Sequence, residues 1–429
     1  MDMCDSNVIR NQDREKNTFA FWFIFSLILN GYATGIPGVS IGSFVLILIV
    51  LMTVINTPKE EKLRIEAKPL VFGAVISVTS FFGMVVLVFT DPLMQLGMGS
   101  QMIGLAKFWL WVLMGSLVAT RLYDKETFTK WMVRFAVILT VYLMIQCAAF
   151  YLAKIYLPNI FRIGPLKPYA DGYADYENLG HSSILRPGSL LSESSFYGNF
   201  ILCTTALYLD QCMDVLYGKK LLFILFVSAG IVLSGSTSAI IMEGIILLMY
   251  FRRINASVKK QVFFAAVLIG TVFVIMWFNG LADSSVGNSL KYSFDKFSYL
   301  DKSTRFGKSY GYLELIPKSV LYLGAGIGND FSLIKQITGK DSVYFNSMTA
   351  LIIQSGLLGL ICFFIYVRRV YQDARALKCT TSVVLLLVYV VKGFASGIYF
   401  STYGILFTVI IIGQIAAERN EICKKTKSQ

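Results

Sequence analysis

The segment Arg186-Pro-Gly-Ser-Leu-Leu-Ser-Glu193-Ser-Ser-Phe-Tyr197-Gly-Asn199 gathers a guanidinium, a carboxylate and a phenol at the head of an apolar run. Arginine carries a rigid fork of donors and never deprotonates, which suits it to a phosphate. Arg186 has a counterpart in Arg305, within a second long polar stretch. Each of the two either grips such an anion or pairs with a lipid headgroup or a loop carboxylate. Glu193 precedes a helix, where the helix dipole favours a carboxylate, and it is also placed to act as a general base or to orient a hydroxyl. About one turn on, Tyr197 and Asn199 either line the same cavity or serve packing. His181, the only histidine, is either a base or a solvated loop side chain.

These residues need a frame, and composition says what kind. Of 429 residues 55% are hydrophobic and only 15% charged, and the mean hydropathy is +0.63. Several apolar runs approach the length that crosses a hydrocarbon core about 30 Å thick. The expected fold is an all-α polytopic integral membrane protein, one membrane domain over 1–429. Candidate spans, about twelve transmembrane helices, fall at 17–34, 37–56, 70–90, 103–121, 131–153, 195–213, 219–234, 237–251, 261–280, 346–367, 380–400 and 402–418. With the N-terminus inside, 25 of the 39 lysines and arginines lie in segments predicted to be cytoplasmic. The short loops assigned outside, around Gly35, Asp91 and Ser236, contain none. That asymmetry puts both termini in the cytoplasm. It also accounts for the net charge of +13, so nucleic acid is not an expected partner.

On the opposite side, the segments 154–195 and 281–345 are longer than connectors need. Loops of this length are usually lids or binding surfaces. These two extracytoplasmic loops hold Arg162, Arg186 and Arg305. Residues 310–323 read as an amphipathic helix that Pro317 kinks or shortens. Gly324-Ala-Gly-Ile-Gly328-Asn329 follows; with no strand before it, it is not a dinucleotide fingerprint. The pair 219–251 is either two short helices joined by a Ser-Gly-Ser-Thr turn or a re-entrant hairpin. Of the charges inside spans, Lys392 faces a cavity or snorkels, Lys107 snorkels, and Glu243, deeper, pairs with an intramembrane partner. None of the seven cysteines lies in the long loops, so neither a disulfide framework nor a metal site is expected. The first span reads as an uncleaved helix, and no internal repeat points to a transporter of duplicated halves.

A series of four segments in order resembles the bacterial O-antigen polymerase/ligase family. Arg186-Pro-Gly188…Ser192-Glu193-Ser194 is similar to that family's arginine, glycine and Glu-Pro-Ser stretch, and Ser234-Gly-Ser-Thr-Ser238 to its Ser/Thr-rich turn. Arg305 followed by Leu323-Gly-Ala-Gly326-Ile-Gly328-Asn329 resembles its arginine and Gly-x-Gly-x-Gly stretch. Phe345-Asn346-Ser-Met…Gln354-Ser-Gly356-Leu-Leu-Gly359 resembles its late His-Asn…Glu-x-Gly-x-x-Gly helix start. Four positions depart from the pattern: Phe345 stands for histidine, Ser194 for proline, Gln354 for the acid, and Ala239 where an arginine often follows the turn.

The resemblance implies an all-helical bundle at the outer face of the bacterial inner membrane. It implies an inverting glycosyl transfer from an undecaprenyl-diphosphate-linked oligosaccharide, with no metal, cofactor or nucleotide sugar. A lipid diphosphate leaves well once its developing charge is stabilised, a task for fixed guanidinium groups. The expectation is a polysaccharide repeat-unit polymerase making O-antigen, capsule or exopolysaccharide. Arg186 and Arg305 hold the donor diphosphate and Glu193 assists the acceptor. Tyr197, Asn199, Asn346, Lys392 and His181 complete the site. Membrane lipids, a chain-length regulator and a flippase are the expected partners. The missing histidine favours polymerase over ligase. The rival from another class is a lipid-linked oligosaccharide flippase, whose polar groups should run through the membrane centre.

Overall fold

The computed structural model describes residues 2–36, 39–56, 65–91, 97–161, 185–212, 218–252, 259, 307–340 and 345–427. These are helical nearly throughout, with no strand among them and one isolated bridge, Ala33 to Ser40. The helices are α1 (Asp2–Leu29), α2 (Ile41–Ile55), α3 (Ala67–Thr90), α4 (Met98–Leu122), α5 (Lys125–Ala153), α6 (Ser194–Cys212), α7 (Lys219–Leu233) and α8 (Thr237–Phe251). After the second long loop begins come α9 (Gly307–Gly311), α10 (Lys318–Leu323), α11 (Asp330–Thr338), α12 (Ser347–Ala376), α13 (Thr380–Ala395) and α14 (Thr402–Lys427). A helix stands at each expected span except 261–280, which lies outside the described residues. Among the described residues five helices are long and apolar enough to cross a membrane: α3, α4, α5, α12 and α14. Helices α2, α8 and α13 are shorter apolar ones.

The chain divides into two compact units. One comprises Met1–Phe19, Leu46–Lys125 and Tyr299–Gln429; the other comprises Ala20–Val45 and Glu126–Ser298.

In the first unit α3 packs on α4, α10 and α12, and α13 joins α12 to α14. An aromatic core of Phe72, Phe108, Trp111, Tyr366 and Phe400 holds these helices, with Phe72 stacked on Tyr366 at 4.9 Å. Within α4 the stretch Met114–Val118 is π-helical. A π-bulge frees a carbonyl from the ladder, and here Ser116 O accepts from Glu66 N at 2.9 Å, tying the head of α3 to α4. At the same end, Arg419 donates to Glu66 at 2.9 Å and to Asp373 at 2.8 Å, and Lys68 bridges the same two acids.

The second unit is built on α5, α6, α7 and α8. Helices α7 and α8 are 15 residues each, about 22 Å, and a tight turn at Ser234–Ser236 joins them, with Gly235 at φ 62°. A Cβ on Gly198 of α6 would collide with that of Ala239 on α8. The missing side chain at 198 and the small one at 239 therefore allow the close approach of these two helices.

Over 310–323, where the sequence predicts an amphipathic helix kinked or shortened by Pro317, the helix is shortened to Lys318–Leu323. Pro317, lacking an N–H, serves as the N-cap of α10, preceded by the one-turn α9 and a 3₁₀ turn at Tyr312–Glu314. Helices α10 and α11, joined by Gly324–Asn329, form a hairpin that enters the first unit between α3, α4 and α12. Its tip meets Ser80 of α3, whose hydroxyl accepts from Ile327 N at 2.6 Å. Ser80 lies about 15 Å from the end of α3, at 1.5 Å rise per residue. The three glycines have φ of 86°, 97° and 87°, a region closed to most L-residues. Opposite them α12 is broken: Gly356 has φ 69° and ψ −177°. The break releases carbonyls of Ile353 and Gln354, and the hairpin amides of Ala325 and Gly326 take them at 2.7 and 3.1 Å.

Candidate functional site

The arginine segment sits in the second unit, and buried amides from α5 and the stretch after it hold it there. Gln146 of α5 donates to Asn159 Oδ1 at 2.9 Å and accepts from Ser189 N at 3.1 Å. Asn159 Oδ1 also accepts from Gly188 N at 3.1 Å, and its amide nitrogen donates to Ser192 O at 3.3 Å. Ser189 adopts φ 60°, and its hydroxyl donates to Leu139 O at 2.6 Å. A Cβ on Gly188 would strike the Leu191 carbonyl, so the turn requires glycine there. Gly188 N, Ser189 N, Ser189 Oγ and Ser192 O thus each have a partner on α5 or its flank, and such bonds help hold a neighbouring charged side chain in one place.

Arg186 is half-buried beside this turn and donates to Ser194 Oγ at 3.4 Å. Glu193 stands immediately before α6, its carbonyl starting the helix by accepting from Tyr197 N at 3.2 Å. Its carboxylate accepts from Ser195 Oγ at 2.8 Å. Ser194 thus supplies the hydroxyl that Arg186 touches. Tyr197 is fully buried and shares a 2.8 Å hydrogen bond with Thr140 of α5. Its phenol also lies where a Cβ on Gly230 of α7 would stand, so this side chain locks α5, α6 and α7 together. Asn199, two positions along, is buried as well.

Asn346 and Lys392 lie in the first unit. Asn346 caps α12, its Oδ1 accepting from Thr349 N at 2.8 Å, and its own N–H donates to Ser309 Oγ at 2.9 Å. Tyr310, in the same loop, has its hydroxyl pushed up by burial, against a hydrogen bond with Asn346. Lys392 is buried on α13, with its carbonyl accepting from Ser396 Oγ at 3.0 Å. Ser347, next to the cap, stitches α12 to the end of α13: its hydroxyl donates to Ser396 O and accepts from Ile398 N and Tyr399 N. Phe345 packs edge-on against Tyr312 and Phe331, both at 5.4 Å. Arg305, Arg162 and His181 lie outside the described residues.

Sequence reasoning did not single out Gln146, Asn159 or Thr140, nor a second polar group at the hairpin tip. There Asp330 is buried and hydrogen-bonded by Gln354, with the charge of Lys107 acting on it. Burial pushes its carboxyl up, and Gln354, the Phe331 N–H and Lys107 oppose that shift. Gln101 of α4 and Asn329 are buried alongside. The available signal was polar residues inside apolar runs, which carry no period of their own.

Among the described residues no group of three or more metal-ligating side chains occurs. No protein-family model matches the chain, and no curated protein matches it.

Proposed function

We propose that the protein is a polysaccharide repeat-unit polymerase, a glycosyltransferase of the bacterial inner membrane. It spans the membrane about twelve times with both termini cytoplasmic, and it joins undecaprenyl-diphosphate-linked oligosaccharides at the outer face. The observation that carries this reading is the Arg186–Asn199 segment. Its order of residues resembles the O-antigen polymerase/ligase family, and its turn is held on Gln146 and Asn159 so that the guanidinium sits fixed beside Ser194. In this role Arg186 takes a diphosphate oxygen and stabilises the charge that develops as the lipid diphosphate leaves. Glu193 orients an acceptor hydroxyl, whose oxygen attacks the anomeric carbon while its proton passes to the carboxylate. Arg305 belongs to the same proposal on sequence alone, as a second guanidinium for the donor.

Deleting the gene and analysing glycolipids separates this reading from its rivals. Loss of a polymerase leaves single repeat units on the carrier or its final acceptor. Long polymer stranded on the prenyl carrier identifies a ligase instead, and single units confined to the cytoplasmic side identify a flippase. Arg186→Ala and Arg305→Ala should each abolish chain growth while the protein stays inserted; normal polymer lengths in both variants overturn the diphosphate assignment.

A further inference from the structure

We propose that Glu243, at the junction of α6, α7 and α8 in the second unit, is a proton-binding site within the membrane. The expected intramembrane partner is not a cation but a pair of hydroxyls. Oε1 accepts from Thr205 of α6 at 3.1 Å and from Ser228 of α7 at 3.0 Å. Oε2 is buried and makes no hydrogen bond, and the residue is 4% exposed. A carboxylate with one bare oxygen in an apolar interior is strongly disfavoured, and such a group neutralises. Forming an O–H bond at Oε2 removes the charge and leaves both Oε1 hydrogen bonds in place.

The surrounding groups leave the proton without a competitor. Helix α6 brings Tyr197, whose hydroxyl is bonded to Thr140 at 2.8 Å, and Asp210, more than a turn beyond Thr205. Helix α5 brings Cys147, a buried thiol. The cations flanking these helices are Lys219 and Lys220 in the first turn of α7 and Arg252 just past α8. Each lies eight or nine residues along its helix from Ser228 or Glu243, about 12–13 Å. An alkali ion needs several oxygens presenting lone pairs to one centre. Here both hydroxyls spend their hydrogens on Oε1, and one carboxyl is the sole charged ligand.

The test uses the full-length protein in lipid and needs no glycan substrate, so it stands or falls separately from the polymerase reading. Infrared spectra at neutral pH should show a carboxylic-acid carbonyl band in wild type that disappears in Glu243→Gln. Because glutamine reproduces the neutral acid, this variant should keep the wild-type melting midpoint, whereas Glu243→Leu, which strands Thr205 and Ser228, should melt lower. Raising the pH should lower the wild-type midpoint relative to that of Glu243→Gln. The proposal is overturned if the acid band is absent from wild type. It is equally overturned if sodium at constant ionic strength raises the wild-type midpoint and not that of Glu243→Gln, for the ligand is then an alkali ion.

Discussion

The amides of Gln146 and Asn159 bond to each other and to the backbone at Gly188, Ser189 and Ser192, so the stance of Arg186 depends on two buried side chains. Replacing Gln146 by leucine keeps the volume and strands buried groups, at a cost of roughly 1–3 kcal/mol. The expected result is a lower melting midpoint together with faster hydrogen exchange at Gly188 and Ser189; unchanged exchange there refutes the tether. Asp330 offers a pH-dependent counterpart. Its carboxyl is raised in the folded state by burial, so its contribution to stability is full below the ordinary aspartate range and is lost as pH rises through the folded value. Asp330→Asn should therefore flatten the fall in melting midpoint between acid and neutral pH, and parallel curves for the two proteins would count against it. Neither site was legible beforehand. In Leu-Met-Ile-Gln146-Cys the glutamine is one polar residue in an apolar run, and its partner Asn159 lies beyond the end of the helix.

At the scale of elements, α12 and the glycine hairpin explain each other. A helix broken in its interior leaves carbonyls without donors, a costly state inside a membrane bundle. The amides of Ala325 and Gly326 cure that defect. A Cβ at Gly356 would strike the Tyr322 carbonyl, and the φ of 69° is strained for any other residue, by about 1–2 kcal/mol. Gly356→Ala should thus destabilise the protein well beyond that strain alone, while Gly99→Ala, where nothing lies within 4 Å, should be neutral or stabilising in a thermal melt. Equal effects at the two positions would deny the close approach. Here the sequence spoke more clearly: the spaced glycines and Pro317 marked a break in regular structure. Their depth was hidden, because the contacts that draw the hairpin inward come from Ser80 and Gly104, far away along the chain.

Among the described residues of the whole molecule, the long apolar runs mark helices, since burial in lipid demands that backbone groups pair within each segment, whereas the short helices α9 and α11 have no such mark. Charge asymmetry predicts an orientation with both termini cytoplasmic, a proposal open to direct test. Reporter fusions at Asp91 and Ser236 should report the outer side, and fusions at Arg375 and Thr426 the cytoplasm; a reversed pair refutes the topology. Runs of hydrophobicity say nothing of which helices cluster, and the division into two units cuts across the order of the chain. The first unit combines Leu46–Lys125 with Tyr299–Gln429, a pairing that only contacts between distant segments reveal.

The hairpin's three-sided cradle also bears on biogenesis. Its walls α3 and α4 leave the ribosome early, whereas its tip and the broken helix that completes its hydrogen bonds are made some two hundred residues later. Until then Ser80 and the small faces of Gly83 and Gly104 stand open in the bilayer. Completion of this unit is thus a late event of synthesis, and truncation anywhere before α12 leaves a vacancy in membrane helices that had long since been inserted.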